Sequence, residues 1–87
     1  MREAIGMVET RSLIAAIEAA DTMSKSANIK IIDFQIVGSG LVSVTVSGEV
    51  AAVKAAVDSG KEKAATVAEV VSANVIPRPH EEVDKIL

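Results

Sequence analysis

The sequence predicts an α+β domain of the ferredoxin-like, split β-α-β kind. The order is β-α-β-β-α-β, with an antiparallel four-stranded sheet, both helices on one face and a short C-terminal helix. Three observations predict it. Two segments whose apolar residues recur at helical spacing alternate with short strand-like segments. A Gly-Ser-Gly tripeptide joins two β-branched runs in the manner of a hairpin. The chain is 49% hydrophobic yet only 1% aromatic, so its apolar content is Ala, Val, Ile and Leu, which suit close helix-on-sheet packing.

Residues 2–8 read as the first strand, apolar at Ala4, Ile5, Met7 and Val8. Gly6 within it marks a bulge or the close approach of another backbone. Thr10 is a candidate cap for the next element, its hydroxyl accepting from a free first-turn N–H. Residues 11–25 carry Leu13, Ile14, Ala16, Ile17 and Ala20 at helical spacing. Glu18, Asp21 and Lys25 lie off that stripe, and Asp21 with Lys25 forms a favourable i,i+4 pair.

Residues 28–37 read as the second strand, with Ile32, Phe34 and Ile36 on one face and Asp33 and Gln35 on the other. Gly38-Ser39-Gly40 turns the chain into a third strand at 41–47. There Val42, Val44 and Val46 alternate with Ser43, Thr45 and Ser47. Gly48-Glu49 ends it and opens a second helix striped by Val50, Val53, Val57, Ala64 and Val67, with Lys54, Asp58, Lys61 and Glu62 outside. Gly60 is a point where that helix can kink. Residues 69–76 make a fourth strand, Pro77-Arg78-Pro79 stops it, and 81–87 form a short final helix after His80.

Eighty-seven residues predict one domain, 1–87. At this size a chain buries only about 60–65% of its unfolded surface, so it needs support beyond its own core. There is no cysteine, and His80 is the only histidine, which removes disulfides and makes a metal centre improbable. Self-association is the support that remains. No apolar run approaches the ~20 residues of a membrane span. No signal-peptide pattern opens the chain, which predicts a cytoplasmic protein. A net charge of −3, with no basic patch and no stacking aromatics, argues against nucleic-acid binding.

Read by themselves, the candidate site residues have ordinary explanations. Gly38-Ser39-Gly40 is first a hairpin loop, and it lacks both the following helix and the lysine of a phosphate cradle. Lys25 complements the dipole of the first helix near its C-terminus. Arg78 is a loop arginine held between two prolines that fix φ. His80 alone is more readily a surface or helix-capping residue than a ligand. Glu3, Glu9, Asp33 and Glu49 are scattered over different elements, with no spacing that pairs an acid with a base.

Four stretches together nevertheless carry a resemblance. They are Glu3-Ala4-Ile5-Gly6-Met7-Val8-Glu9-Thr10, Ala16-Ile17-Glu18-Ala19-Ala20-Asp21, Val37-Gly38-Ser39-Gly40-Leu41-Val42 followed by Gly48-Glu49-Val50, and Asn74-Val75-Ile76-Pro77-Arg78-Pro79-His80. In this order and at these separations the chain resembles the hexamer-forming shell proteins of bacterial microcompartments over nearly its whole length, and metabolosome shells more than carboxysome shells.

The resemblance implies a cyclic homohexamer packed edge to edge with neighbouring hexamers and other shell proteins in a cytoplasmic shell. It places Gly38, Ser39 and Gly40 around a central pore for small polar metabolites. It places Lys25, Asn28, Arg78 and His80 at the inter-hexamer edge. No cofactor, metal, nucleic acid or membrane is implied. Relatives often carry a basic residue where this chain has Ser47 and a histidine where it has Asn74, so the flat faces are expected to be less positive here. The C-terminal extension of many relatives is expected to be short or absent.

Three readings compete. A structural tile with a pore accounts for loop, edge and tail together. A ferredoxin-like regulatory domain that binds a small ligand needs a cleft with convergent polar groups, and only the glycine loop offers one. An enzyme is disfavoured, because one histidine and no cysteine or tyrosine leave little from which to build a nucleophile–base pair.

Overall fold

The computed structural model describes residues 3–26 and 28–87. Its elements run β1 (Ala4–Thr10), α1 (Leu13–Ser24), β2 (Ile29–Ile36), β3 (Val42–Gly48), α2 (Val50–Ala65), β4 (Val70–Ile76) and a C-terminal 3₁₀ helix (Glu81–Ile86). The strands form one antiparallel sheet in the order β2-β3-β1-β4, with both helices packed on one face, as the sequence predicts. The first strand continues to Thr10, two residues beyond the expected end, and Arg2 lies outside the described residues.

Alternation decides which side of the sheet is buried. Val42, Val44 and Val46 of β3 and Ala4 and Val8 of β1 turn toward the helices and are nearly inaccessible. Gly6 lies on the same face between Ala4 and Val8. A Cβ there would stand 2.8 Å from Val53 Cγ1 of α2, so the glycine is where a helix closes onto bare strand backbone. Each fully buried valine contributes about 1.5–3 kcal/mol relative to its exposed state, and here the core is built of many small such increments.

Three local expectations change. The N-cap of α1 is Ser12, whose hydroxyl accepts from Ala15 N–H at 3.1 Å. Thr10 sits one layer behind, accepting from Ser12 N–H and donating to Ser12 C=O at 3.0 and 2.8 Å. Position 10 is still strand, and a strand residue cannot also cap a helix that starts at Leu13.

The second change is the buried face of α1. Ala15, Ala16, Ala19 and Met23 fill the core, while Leu13, Ile14 and Ile17 face outward at 45%, 67% and 52% exposure. Alanines face inward where α1 packs against both the sheet and α2, with Met23 as their one large companion. Likewise α2 buries Val53, Ala56, Val57, Gly60 and Ala64 and leaves Val50 exposed, while Val67 lies past its end and is exposed too. It runs through Gly60 as one helix. A Cβ at 60 would lie 2.7 Å from Met23 Cγ, so that glycine serves the helix crossing rather than a kink.

The third change is in β2. The register slips between Ile31 and Asp33, so Ile31 opposes Val46 and Phe34 opposes Val44. A bulge puts one extra residue on β2. The side chains sharing the helix-facing side are therefore Ile31, Phe34 and Ile36, with Ile32 as the inserted residue.

Candidate functional site: a loop end and a far end

Strand register sorts the predicted site residues into two groups. Thr10 pairs with Val42 and Val70, and Val42 pairs with Ile36, so these positions lie at one end of the sheet. There the β2–β3 hairpin turns, α1 begins and α2 finishes. At the opposite end Gly48 pairs with Ala4 and Ile29, and Ile5 pairs with Ile76. There α1 finishes, α2 begins and Pro77-Arg78-Pro79 leaves β4. A seven-residue strand separates the two ends by roughly 23 Å.

Gly38, Ser39 and Gly40 form the tip of the loop end. Gly40 N–H donates to Val37 C=O at 3.0 Å and Val37 N–H to Leu41 C=O at 2.8 Å, closing a tight turn. Gly40 has φ +88°, in the left-handed region that glycine adopts without strain. Gly38 has no such requirement, and a Cβ built on it would meet nothing within 4 Å. The Ser39 hydroxyl is exposed and bonds to no described residue, so it is free to meet a solute. Arg11 and Glu69 flank this end as an exposed ion pair at 3.4 Å.

The far end gathers Lys25, Asn28 and Arg78. Lys25 closes α1, its Nζ 2.9 Å from Asp21. The hydrogen bond to Asp21, and then the carboxylate's charge, hold the ammonium above its ordinary pKa. Asn28 stands in a left-handed conformation at φ 66°, turning the chain into β2. Arg78 is exposed and lines an apolar-walled groove of about 520 Å³ with Glu3, Ala4, Gly48, Glu49, Val50 and Pro77.

Sequence spacing gave no hint that Glu3, Glu49 and Arg78 line one groove, because they flank three different elements. Glu49 is partly committed, its Oε1 accepting from Ala51 N–H at 2.9 Å to cap α2. His80 is turned to its own chain: Nδ1 accepts from Glu82 N–H at 3.1 Å and caps the 3₁₀ helix. Among the described residues no cluster of His, Cys, Asp or Glu could hold a metal ion, and no helix is long and apolar enough to cross a membrane.

One antiparallel sheet with both helices on one face, a glycine hairpin at one end and exposed basic groups at the other define a small α+β domain. The comparisons with known proteins narrow this. The BMC domain family profile matches residues 4–79, and the chain belongs to that family. It is 58% identical over 86 residues to the bacterial microcompartment shell protein PduA of Citrobacter freundii, covering 99% of this chain and 92% of that one. It is 48% identical over 84 residues to EutM, a bacterial microcompartment shell protein of Escherichia coli strain K12, covering 97% and 87%. It is 47% identical over 85 residues to the carboxysome shell protein CsoS1A of Hydrogenovibrio crunogenus, covering 97% and 88%. A solved microcompartment protein of Desulfitobacterium hafniense superposes with a TM-score of 0.85 at 37% identity over 95% of this chain. This chain spans 45% of the length of that one.

Proposed function

We propose that the protein is one shell domain, 1–87, and a non-enzymatic tile of a metabolosome-type microcompartment shell in the cytoplasm. Six copies close into a ring with Gly38-Ser39-Gly40 around its axis, and rings meet through Lys25, Asn28, Arg78 and His80 and pack beside other shell proteins.

The observation that carries this reading is the crowding of uncovered apolar side chains around the loop end. Leu13, Ile14 and Ile17 of α1, Ile36 and Val37 before the turn, Val67 after α2 and Val71 of β4 are all exposed. Val50 and Ile76 leave further apolar surface at the other end, and a protomer with this much uncovered is suited to bury it against copies of itself. Copies around an axis come closest together beside it, and this reading sets the loop end there. Gly38 supports the same reading. Nothing within the protomer excludes a side chain there, so the small residue answers to something outside it.

Such an arrangement turns six Ser39 hydroxyls and the nearby backbone N–H groups toward a narrow opening. Donors of that kind replace the hydration of small polar or anionic metabolites and do nothing for bulky apolar ones. The far-end groove beside Arg78, apolar on its walls and acidic at Glu3 and Glu49, is a fitting seat for a basic side chain of an adjoining ring. The relatives PduA, EutM and CsoS1A are shell proteins by name, which agrees with a structural role.

Native mass spectrometry of the purified chain should give a six-subunit mass, and negative-stain microscopy should show sheets or tubes. A small oligomer that never tiles, and whose melting temperature rises with a specific ligand, would favour the regulatory reading instead.

A further inference from the structure

The turn carrying Lys25 and Asn28 rests on a contact that only glycine permits. Gly48 is the last residue of β3, on the helix-facing side, paired with Ala4 on one flank and Ile29 on the other. The Asn28 backbone lies directly over it, and a Cβ at 48 would run into the Asn28 carbonyl oxygen. The same atom would stand 3.2 Å from the Asn28 carbonyl carbon and from Ile29 Cδ1. The obstacle is backbone rather than the end of a flexible side chain, so the turn itself would have to move. Asn28 is already fixed by its left-handed φ, a conformation asparagine tolerates and most residues do not. The bare backbone of Gly48 and the left-handed Asn28 thus define how closely the α1–β2 turn sits on the sheet end. Lys25 hangs from that turn, and Gly48 also borders the groove that contains Arg78.

We propose that Gly48 is a positioning residue for the tiling edge: it touches no neighbouring ring itself but sets the depth at which Lys25 and Asn28 are presented at that end of the sheet. This rests on the edge reading given above. Edge contacts repeat along every side of a ring, so a small displacement of the turn recurs at each one and spoils the lattice without reaching the axis.

The test is Gly48→Ala in the full chain, with three readouts. Native mass spectrometry is expected to show rings at the wild-type fraction. Negative-stain microscopy is expected to show at least a tenfold loss of sheets. Backbone amide spectra are expected to shift around residues 24–29 and 47–49 and little elsewhere. Sheets at wild-type yield would overturn the proposal, as would loss of rings and sheets together in a folded variant, since that describes a general structural role.

Should Gly48→Ala fail to fold, the double variant Gly48→Ala/Asn28→Gly decides. A glycine at 28 lets the carbonyl swing off the added methyl, so folding and rings return while sheets stay lost; full tiling by the double variant would contradict the positioning role. Lys25→Ala, assayed alongside, separates the two claims. If it tiles normally the edge reading itself is wrong, and if it stops tiling while Gly48→Ala does not, only the role of Gly48 is.

Discussion

Ser39 and Lys25 do their proposed work as single side chains, and each has a test of its own. Ser39 packs on nothing in its own protomer, so a bulky apolar replacement such as Ser39→Phe should leave the fold unchanged. In assembled shells built mainly of this tile it should slow entry of a polar substrate severalfold; unchanged flux takes Ser39 out of the pore. Lys25→Ala should leave rings intact and abolish sheets. Its ion pair also makes a pH prediction. The raised pKa means that whatever the pair contributes is present below the ordinary lysine value of 10.5 and is lost as pH climbs through the higher folded value. With Lys25 73% exposed at its side chain, that contribution to stability is small. The readable quantity is therefore the titration of Nζ by NMR, which should move back toward 10.5 in Asp21→Asn. At this scale the sequence was a good guide to the Asp21–Lys25 pair and to the hairpin glycines, whose causes are local. It misplaced the cap of α1, because Thr10 and Ser12 are both good capping residues and only the true end of β1 decides between them.

Among the elements, α1 shows most clearly where sequence reasoning runs out. Helical periodicity identified the helix, but the largest members of its apolar stripe, Leu13, Ile14 and Ile17, do not lie on the buried face. The structure puts alanines and Met23 there instead. A chain that buries apolar surface against itself and against copies of itself carries two apolar faces on one helix, and composition alone does not say which is which. The two can be told apart experimentally. Ile17→Glu, at an outward position, should unfold no protomer by circular dichroism yet dissociate the ring in native mass spectrometry; a ring that persists removes this face from the subunit contact. Gly6→Ala, at an inward position, should destabilise the domain by about 1–3 kcal/mol through overpacking against Val53 and Val57. In a domain of this size that lowers Tm by roughly 4–8 °C per kcal/mol. The bulge in β2 was likewise illegible, because Ile31 and Ile32 are the same residue type and either one could have taken the inward position.

For the whole molecule, the β-α-β-β-α-β order and the antiparallel sheet follow from patterns that any reader of the sequence can count. That the pore candidates and the edge candidates lie at opposite ends does not, because it depends on strand register. The hairpin that brings Gly38-Ser39-Gly40 to one end necessarily sends Asn28 and Gly48 to the other. The antiparallel return of β4 then delivers Arg78 to the same end, from the opposite edge strand. One topology thus separates the place where copies are proposed to converge from the place where rings are proposed to adjoin. The measurement that tests this most directly is a cryo-electron microscopy class average of the purified assembly, resolved well enough to see strands. It should show six protomers with the β2–β3 turns at the centre and Lys25 and Arg78 on the perimeter. Any other subunit number, or hairpin turns lying on the perimeter, would contradict it.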